Sequence, residues 1–92
     1  MSKVCRHVYL SGRVQGVGFR AFVRRNAKRL GVAGWVKNLP DGRVEALIYG
    51  DEEDVDELVS SMETGPSLAQ VDEIEVSDHD RPPAEKDFQI KY

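Results

Sequence analysis

Cysteine and histidine are scarce in this chain, which limits covalent cross-links and metal sites. Cys5 is the only cysteine, so no internal disulfide can form. His7 and His79 lie far apart and no Cys/His cluster accompanies them, so we expect no metal and no cofactor. Cys5 also precedes the glycine-rich segment by a whole strand, whereas cysteine phosphatases place the thiol at the start of the phosphate loop. We therefore expect Cys5 to be a half-buried structural thiol.

Long apolar runs are also missing. No run approaches the roughly 18 residues that a membrane span needs, and the N-terminus lacks the apolar region of a signal peptide. The chain has 40% apolar and 32% charged residues, a composition typical of a globular domain. Since no long linker interrupts its 92 residues, we expect one domain over 1–92. The lack of a signal region and of a membrane span leads us to expect a cytoplasmic protein with no membrane contact.

Acidic residues are absent from the first 40 positions. That segment contains nine basic residues and the remaining 52 contain 16 acids and only four basic residues, so the two parts carry charges of +9 and −12. The net charge of −3 does not indicate nucleic-acid binding, and we expect no nucleic-acid partner. A glycine-rich loop within the positive part suggests an anion site. The nine basic residues are Lys3, Arg6, Arg13, Arg20, Arg24, Arg25, Lys28, Arg29 and Lys37.

Hydrophobic periodicity predicts an α+β fold. Helical spacing predicts one helix from Phe19 to Leu30, ended by Gly31, and a second helix capped by Asp51. Pro40-Asp41-Gly42 is typical of a hairpin turn. Val71 is out of phase with the inward-facing Ile74 and Val76, which suggests a bulge or kink. The predicted strands are Val4–Leu10, Val32–Leu39, Arg43–Gly50, about Ala69–Ser77, and Phe88–Tyr92.

This order is β-α-β-β-α-β with a short C-terminal strand. It is typical of a ferredoxin-like α/β sandwich, in which two helices cover one face of an antiparallel sheet.

The glycine-rich loop is the first candidate site. Gly16 and Gly18 have no Cβ, so an oxyanion can approach main-chain N–H groups at the N-terminus of a helix. Arg20 stands in the first helical turn, where the helix dipole disfavours a cation. A bound anion would compensate this cost. The alternatives are a tight strand-to-helix turn and a solvated surface arginine. The expected phosphate-binding residues are Gln15, Gly16, Val17, Gly18, Phe19 and Arg20.

Asn38 is the second candidate. It lies at the end of a predicted strand, and its carboxamide can accept from water while donating to a phosphate oxygen. The alternative is an ordinary turn asparagine. Strand alternation directs Lys37 to the opposite face. Trp35 is expected to pack in the core or on the sheet rather than form a substrate platform, and Asp41 is expected to be a turn residue rather than a base.

Two long stretches resemble the signature motifs of acylphosphatases. They are Gly12-Arg13-Val14-Gln15-Gly16-Val17-Gly18-Phe19-Arg20 and Gly34-Trp35-Val36-Lys37-Asn38-Leu39-Pro40-Asp41-Gly42-Arg43-Val44-Glu45.

The resemblance implies metal-independent hydrolysis of acyl phosphates to a carboxylate and inorganic phosphate. It assigns phosphate binding to the glycine loop, and catalytic roles to Arg20, which binds phosphate, and to Asn38, which orients the attacking water. We accordingly expect a small-molecule acyl phosphate as substrate and phosphate as product and inhibitor. Since the sequence shows no exposed apolar stripe that demands a partner, we expect a monomer.

Three other functions on the same fold are the alternatives. Gly18-Phe19-Arg20-Ala21-Phe22-Val23 resembles an RNA-recognition signature, but periodicity places it on a loop and a helix rather than on a central strand. A sensor domain would bind a carboxylate in the loop without turnover. A third alternative uses the same site for carbamoyl transfer within a larger enzyme.

Overall fold

The computed structural model describes residues 2–92 and contains two helices and five strands. Met1, which the expected domain 1–92 includes, lies outside the described residues. The elements in chain order are β1 (Lys3–Arg13), α1 (Phe19–Leu30), β2 (Ala33–Asn38), β3 (Val44–Asp51), α2 (Glu52–Thr64), β4 (Gln70–Asp78) and β5 (Phe88–Lys91). This order and the ferredoxin-like α+β class confirm the sequence prediction. Neither helix of the described chain is long and apolar enough to cross a membrane.

The five strands form one sheet in the order β4-β1-β3-β2-β5. The first four pair antiparallel, as expected, but β5 pairs parallel to β2, with Gly34 opposite Phe88 and Val36 opposite Ile90. The sheet is therefore mixed: the predicted antiparallel arrangement holds for four strands, and β5, whose pairing the sequence leaves open, runs parallel. Because β4 and β5 occupy opposite edges, the chain between them crosses the sheet instead of forming a hairpin. A strand that follows such a crossover can run parallel or antiparallel to its neighbour.

The core lies between one face of the sheet and the two helices. Alternate residues of β1 and β3 are fully buried, among them Val8, Leu10, Ala46 and Ile48. The predicted apolar stripes of the helices meet them, and the buried helical side chains are Phe19, Val23, Ala27, Val55, Leu58 and Met62. The opposite face carries Cys5, His7, Tyr9, Trp35 and Lys37, whose parity in the strands is the reverse. Both helices therefore cover a single face, as predicted.

The expected irregularity in β4 is present. Ser11 pairs with Glu73 but Gly12 pairs with Val71, so Asp72 is an extra residue in β4. Gly12 has φ +119°, and a Cβ there would lie 2.3 Å from the Gln70 carbonyl oxygen, so the bulge requires glycine. Val76 is 43% exposed although it pairs with the buried Val8, because β4 is an edge strand.

The end of α1 and the start of α2 fall where the sequence predicts them. Gly31 takes a left-handed conformation (φ 71°) after α1, and Val32 N–H donates to the Ala27 carbonyl. Asp51 occupies the N-cap position of α2, but its side chain caps no backbone N–H. The carboxylate lies instead 3.4 Å from Lys3 Nζ, so the expected capping bond is replaced by an ion pair with β1.

Candidate active site

The loop between β1 and α1 presents unpaired main-chain donors. Gly16 and Gly18 both have positive φ (73° and 77°), and nothing lies within 4 Å of the position where either would carry a Cβ. The N-terminus of α1 has no side-chain cap and no acid in its first turn. Within residues 2–92, no backbone N–H of residues 15–20 donates to a protein acceptor. The first backbone hydrogen bond after the loop runs from the Phe22 N–H to the Gly18 carbonyl. This loop can therefore accept an anion.

A pocket of about 220 Å³ opens above the loop. It brings together most of the residues that the sequence singles out, although they come from three separate elements. The lining residues are Val14, Gly16, Gly18, Phe19, Arg20, Ala21, Asn38, Ile90 and Tyr92. Gln15 and Val17, also expected to bind phosphate, are not among them. The Val17 side chain packs against the hydrophobic core.

The Gln15 side chain fastens the loop to the β2–β3 turn. Its Nε2 donates to the carbonyl oxygens of Leu39 and Arg43, each at 2.8 Å. The two bonds hold the loop against the turn that immediately follows Asn38. Sequence reasoning assigned only the Gln15 amide and missed this contact, because nothing in the local pattern indicates which distant carbonyls the side chain reaches.

Asn38 lines the pocket and carries an unsatisfied polar atom. Its Oδ1 is buried and has no hydrogen-bond partner among the described residues. Asn38 pairs with the buried Val44, so it lies on the helical side of the sheet. Lys37 lies on the other face, with its Nζ 3.7 Å from a Glu45 carboxylate oxygen, as the alternation predicts. Burying a hydrogen-bond acceptor without a donor costs free energy, and an ordinary turn asparagine has no need to bury its Oδ1 in this way.

Arg20 is held at the pocket by weak contacts. Nη1 donates to the Lys91 carbonyl at 3.3 Å, and the guanidinium carbon lies 4.8 Å from the centre of the Tyr92 ring. Within residues 2–92, no carboxylate comes within 4 Å of this guanidinium. Most of its donors therefore remain available to a ligand. Sequence reasoning did not place Tyr92 or Ile90 in the site, since their position depends on the parallel pairing of β5.

The remaining polar residues near the motifs have structural contacts. Asp41 accepts a bond from the Arg43 backbone N–H at 3.1 Å, and this bond lowers the pKa of Asp41, which makes the carboxylate a poor base. Trp35 lies on the face opposite the helices, with Lys37 Nζ 5.4 Å and Lys91 Nζ 5.1 Å from the ring centre. Both residues behave as the sequence indicates.

The other chemically reactive groups lie outside the pocket. Cys5 is buried, its Sγ donates to the Arg81 carbonyl at 3.3 Å, and burial raises the pKa of its thiol, which suits a structural role. No group of three or more His, Cys, Asp or Glu residues suited to a metal ion occurs in the described chain. Phe19 is only 2% exposed at the start of α1, which disfavours the RNA-binding alternative because base stacking needs exposed aromatics on strands.

Comparisons with known proteins agree with this geometry. The acylphosphatase family model matches residues 6–90. The acylphosphatase of Pseudomonas paraeruginosa is 54% identical over 76 residues, covering 83% of this chain and 84% of the relative, and that of Thermococcus kodakarensis gives the same values. The crystal structure of acylphosphatase from Bacillus subtilis superposes with a TM-score of 0.92 at 38% identity, covering 97% of this chain and 99% of that one. The chain therefore belongs to the acylphosphatase family and is an enzyme that hydrolyses acyl phosphates.

Proposed function

We propose that the loop amides of residues 15–20 and the Arg20 guanidinium bind the phosphoryl group, and that Asn38 orients the attacking water. Asn38 carries this proposal, because it lines the same pocket as Arg20 and the loop and its buried Oδ1 has no hydrogen-bond partner among the described residues. A water donating to Oδ1 satisfies that atom and is directed toward a phosphorus atom held by the loop. Gln15 contributes its amide to this cradle and holds the cradle in place with its side chain.

The substrate needs little help from acids or bases. An acyl phosphate releases a carboxylate, whose conjugate acid has a pKa of about 4, so the leaving group departs without a proton. The transition state resembles metaphosphate and requires mainly that its oxygens are held and its water aligned. Arg20 and the backbone donors supply the first requirement and Asn38 the second. The proton of the water passes to a phosphate oxygen of the substrate, since Asp41 is engaged in its turn.

The enzyme is proposed to act without a metal, as a cytoplasmic monomer formed by one domain over residues 1–92. One continuous core supports the single domain. The large apolar side chains that are exposed in the described chain, Leu68, Val76 and Tyr92, lie in a loop, in β4 and after β5, and do not form a stripe for a partner. Inorganic phosphate is expected to inhibit as the product, and no nucleic acid is expected to bind.

Hydrolysis of benzoyl phosphate in the presence of EDTA tests the assignment. Arg20→Ala and Asn38→Ala are each expected to lower kcat/KM by about 10²–10³, the usual cost of one preorganised group. Arg25→Ala and Asn26→Ala are matched controls, because both residues are polar positions of α1 outside the pocket, and at 0.5 M NaCl, where long-range attraction is screened, both should retain activity. Unchanged turnover in Arg20→Ala and Asn38→Ala would remove the residue roles, and loss of wild-type turnover on adding EDTA would remove the metal-free mechanism.

Binding can be separated from turnover by titrating inorganic phosphate and following backbone amide resonances. The shifts are expected to cluster at residues 15–20 and to weaken strongly in Arg20→Ala. Saturable shifts with no hydrolysis by the wild-type chain would instead support the sensor alternative. An RNA titration at moderate salt provides the contrasting ligand and is expected to leave the spectrum unchanged.

A further inference from the structure

A second depression continues the phosphoryl pocket. Ile90 and Tyr92 line both, and the second depression is a shallow groove of about 500 Å³ between α1 and the β5 edge. Its other lining residues are Arg24, Asp87, Phe88 and Gln89. If the phosphoryl group occupies the pocket, this groove is the adjoining space into which the acyl group can extend.

Three cations form a row on α1, and the middle one, Arg24, borders the groove. Arg20, Arg24 and Lys28 are four residues apart, so they lie on one helical face, where like charges destabilise the helix. Lys28 is neutralised, since its Nζ lies 3.4 Å from Asp87, whose carboxylate also accepts the Phe88 N–H at 3.0 Å. Arg20 faces the proposed phosphoryl site.

Arg24 is the member of this row without a partner. No carboxylate lies within 4 Å of its guanidinium in the part of the chain that the structure describes. Asp87 lines the same groove and interacts electrostatically with Arg24, but its close contacts are with Lys28 and the Phe88 N–H, so the donors of Arg24 remain free. An exposed guanidinium that borders a groove next to an anion-binding pocket is suited to a second anionic group.

The geometry points to Arg24 as a specificity-determining residue that selects acyl phosphates whose acyl group carries a second anion, such as a carboxylate. This inference rests on the proposed function, because it requires the phosphoryl group to lie at Arg20. Four helical residues correspond to a rise of about 6 Å along α1, and the two long side chains can reach further, so the favoured substrates carry the second anion roughly 6–9 Å from the phosphorus. Phosphorylated short dicarboxylic acids fit this spacing.

Arg24 touches the acyl group and not the reacting atoms. Its contact is the same before and during phosphoryl transfer, so it should change KM rather than kcat. Because the groove is open to solvent, the contact is weakened by salt.

The test compares benzoyl phosphate with 4-carboxybenzoyl phosphate, which differ by one carboxylate. For each enzyme, the measured quantity is the ratio of kcat/KM for the carboxylated substrate to that for benzoyl phosphate at low salt. Arg24→Gln is expected to lower this ratio about fivefold, the effect of one exposed ion pair, and Arg24→Glu should lower it further. Arg24→Lys should retain most of it. The change should appear in KM and diminish at 0.5 M NaCl.

Arg25→Gln is the matched control, because it removes a neighbouring positive charge that does not border the groove. Its ratio should stay within twofold of wild type. Equal ratios in wild type and Arg24→Gln, or an equal loss in Arg25→Gln, would overturn the inference. Failure of the proposed function is recognised separately, because Arg20→Ala would then hydrolyse benzoyl phosphate as fast as wild type.

Discussion

Gly18 and Gly31 adopt nearly the same left-handed conformation at the two ends of α1. Their φ values are 77° and 71°, and nothing lies within 4 Å of a Cβ at either position. Alanine in this region costs about 1–2 kcal/mol. Gly18 lines the pocket and Gly31 lies at the far end of the helix. Substitutions at these two glycines can therefore be compared: both change the backbone conformation, but only the one at Gly18 also affects ligand access.

We expect Gly18→Ala and Gly31→Ala to lower the free energy of unfolding by similar amounts, about 1–2 kcal/mol, since both place Cβ in the same strained conformation. Only Gly18→Ala should also lower kcat/KM for an acyl phosphate and weaken phosphate binding, because Gly18 lines the pocket that is proposed to hold the anion. Urea denaturation and the benzoyl phosphate assay measure the two effects. Equal activity in the two variants would mean that Gly18 serves the turn alone.

At the level of elements, local signals predicted much more than long-range ones. The periodic run from Phe19 and the stop at Gly31 define α1, because both signals lie within the helix itself. The out-of-phase Val71 indicates the bulge for the same reason. By contrast, the four residues of β5 contain no information on the strand they join or its direction. The Gln15 clamp and the unsatisfied Asn38 Oδ1 likewise depend on distant backbone, so only the structure identifies them.

The segment between β4 and β5 offers a pH-dependent test of this long-range connection. Glu85 Oε2 lies 2.9 Å from Lys91 Nζ, and the hydrogen bond from Lys91 lowers the pKa of the Glu85 carboxyl below its ordinary value of 4.5. A carboxyl with a lowered folded pKa stabilises the fold above its unfolded pKa, and this stabilisation is lost as pH falls through the folded pKa.

We expect Glu85→Gln to lower the free energy of unfolding at pH 7 by up to about 1 kcal/mol, because Lys91 loses its charged partner at a partly exposed site. The difference from wild type should shrink steadily below pH 4.5, as the wild-type carboxyl is protonated. Urea denaturation across pH 3–7 provides the measurement. Glu73→Gln, at an exposed acid of β4 that forms no ion pair among the described residues, is a control for removing one negative charge. A difference that grows on acidification would contradict the sign of the pKa shift.

For the whole molecule, folding brings acids of the second part of the chain close to some of the basic residues in the first 40 but not to others. Five of the nine basic residues in the first 40 lie within 4 Å of an acid from the second part of the chain. Among the described residues, the four without such a partner are Arg13, Arg20, Arg24 and Arg25. Three of these belong to the first two turns of α1, beside the pocket. The uncompensated positive charge therefore concentrates at the site although the net charge is −3.

Such a field should make substrate capture depend on ionic strength. Unpaired cations beside a pocket attract a dianionic acyl phosphate, and salt screens that attraction beyond about 10 Å at 0.1 M. We expect kcat/KM for benzoyl phosphate to fall severalfold between 10 mM and 500 mM NaCl, mostly through KM. At saturation the bound phosphoryl group is in direct contact with Arg20 and the loop amides, where screening is weaker, so kcat should change little. Arg13→Gln combined with Arg25→Gln should flatten the salt dependence without abolishing turnover, because neither side chain lines the pocket. An equally steep salt dependence in that double variant would mean that the contact with Arg20 accounts for the attraction and that the surrounding arginines contribute nothing to it.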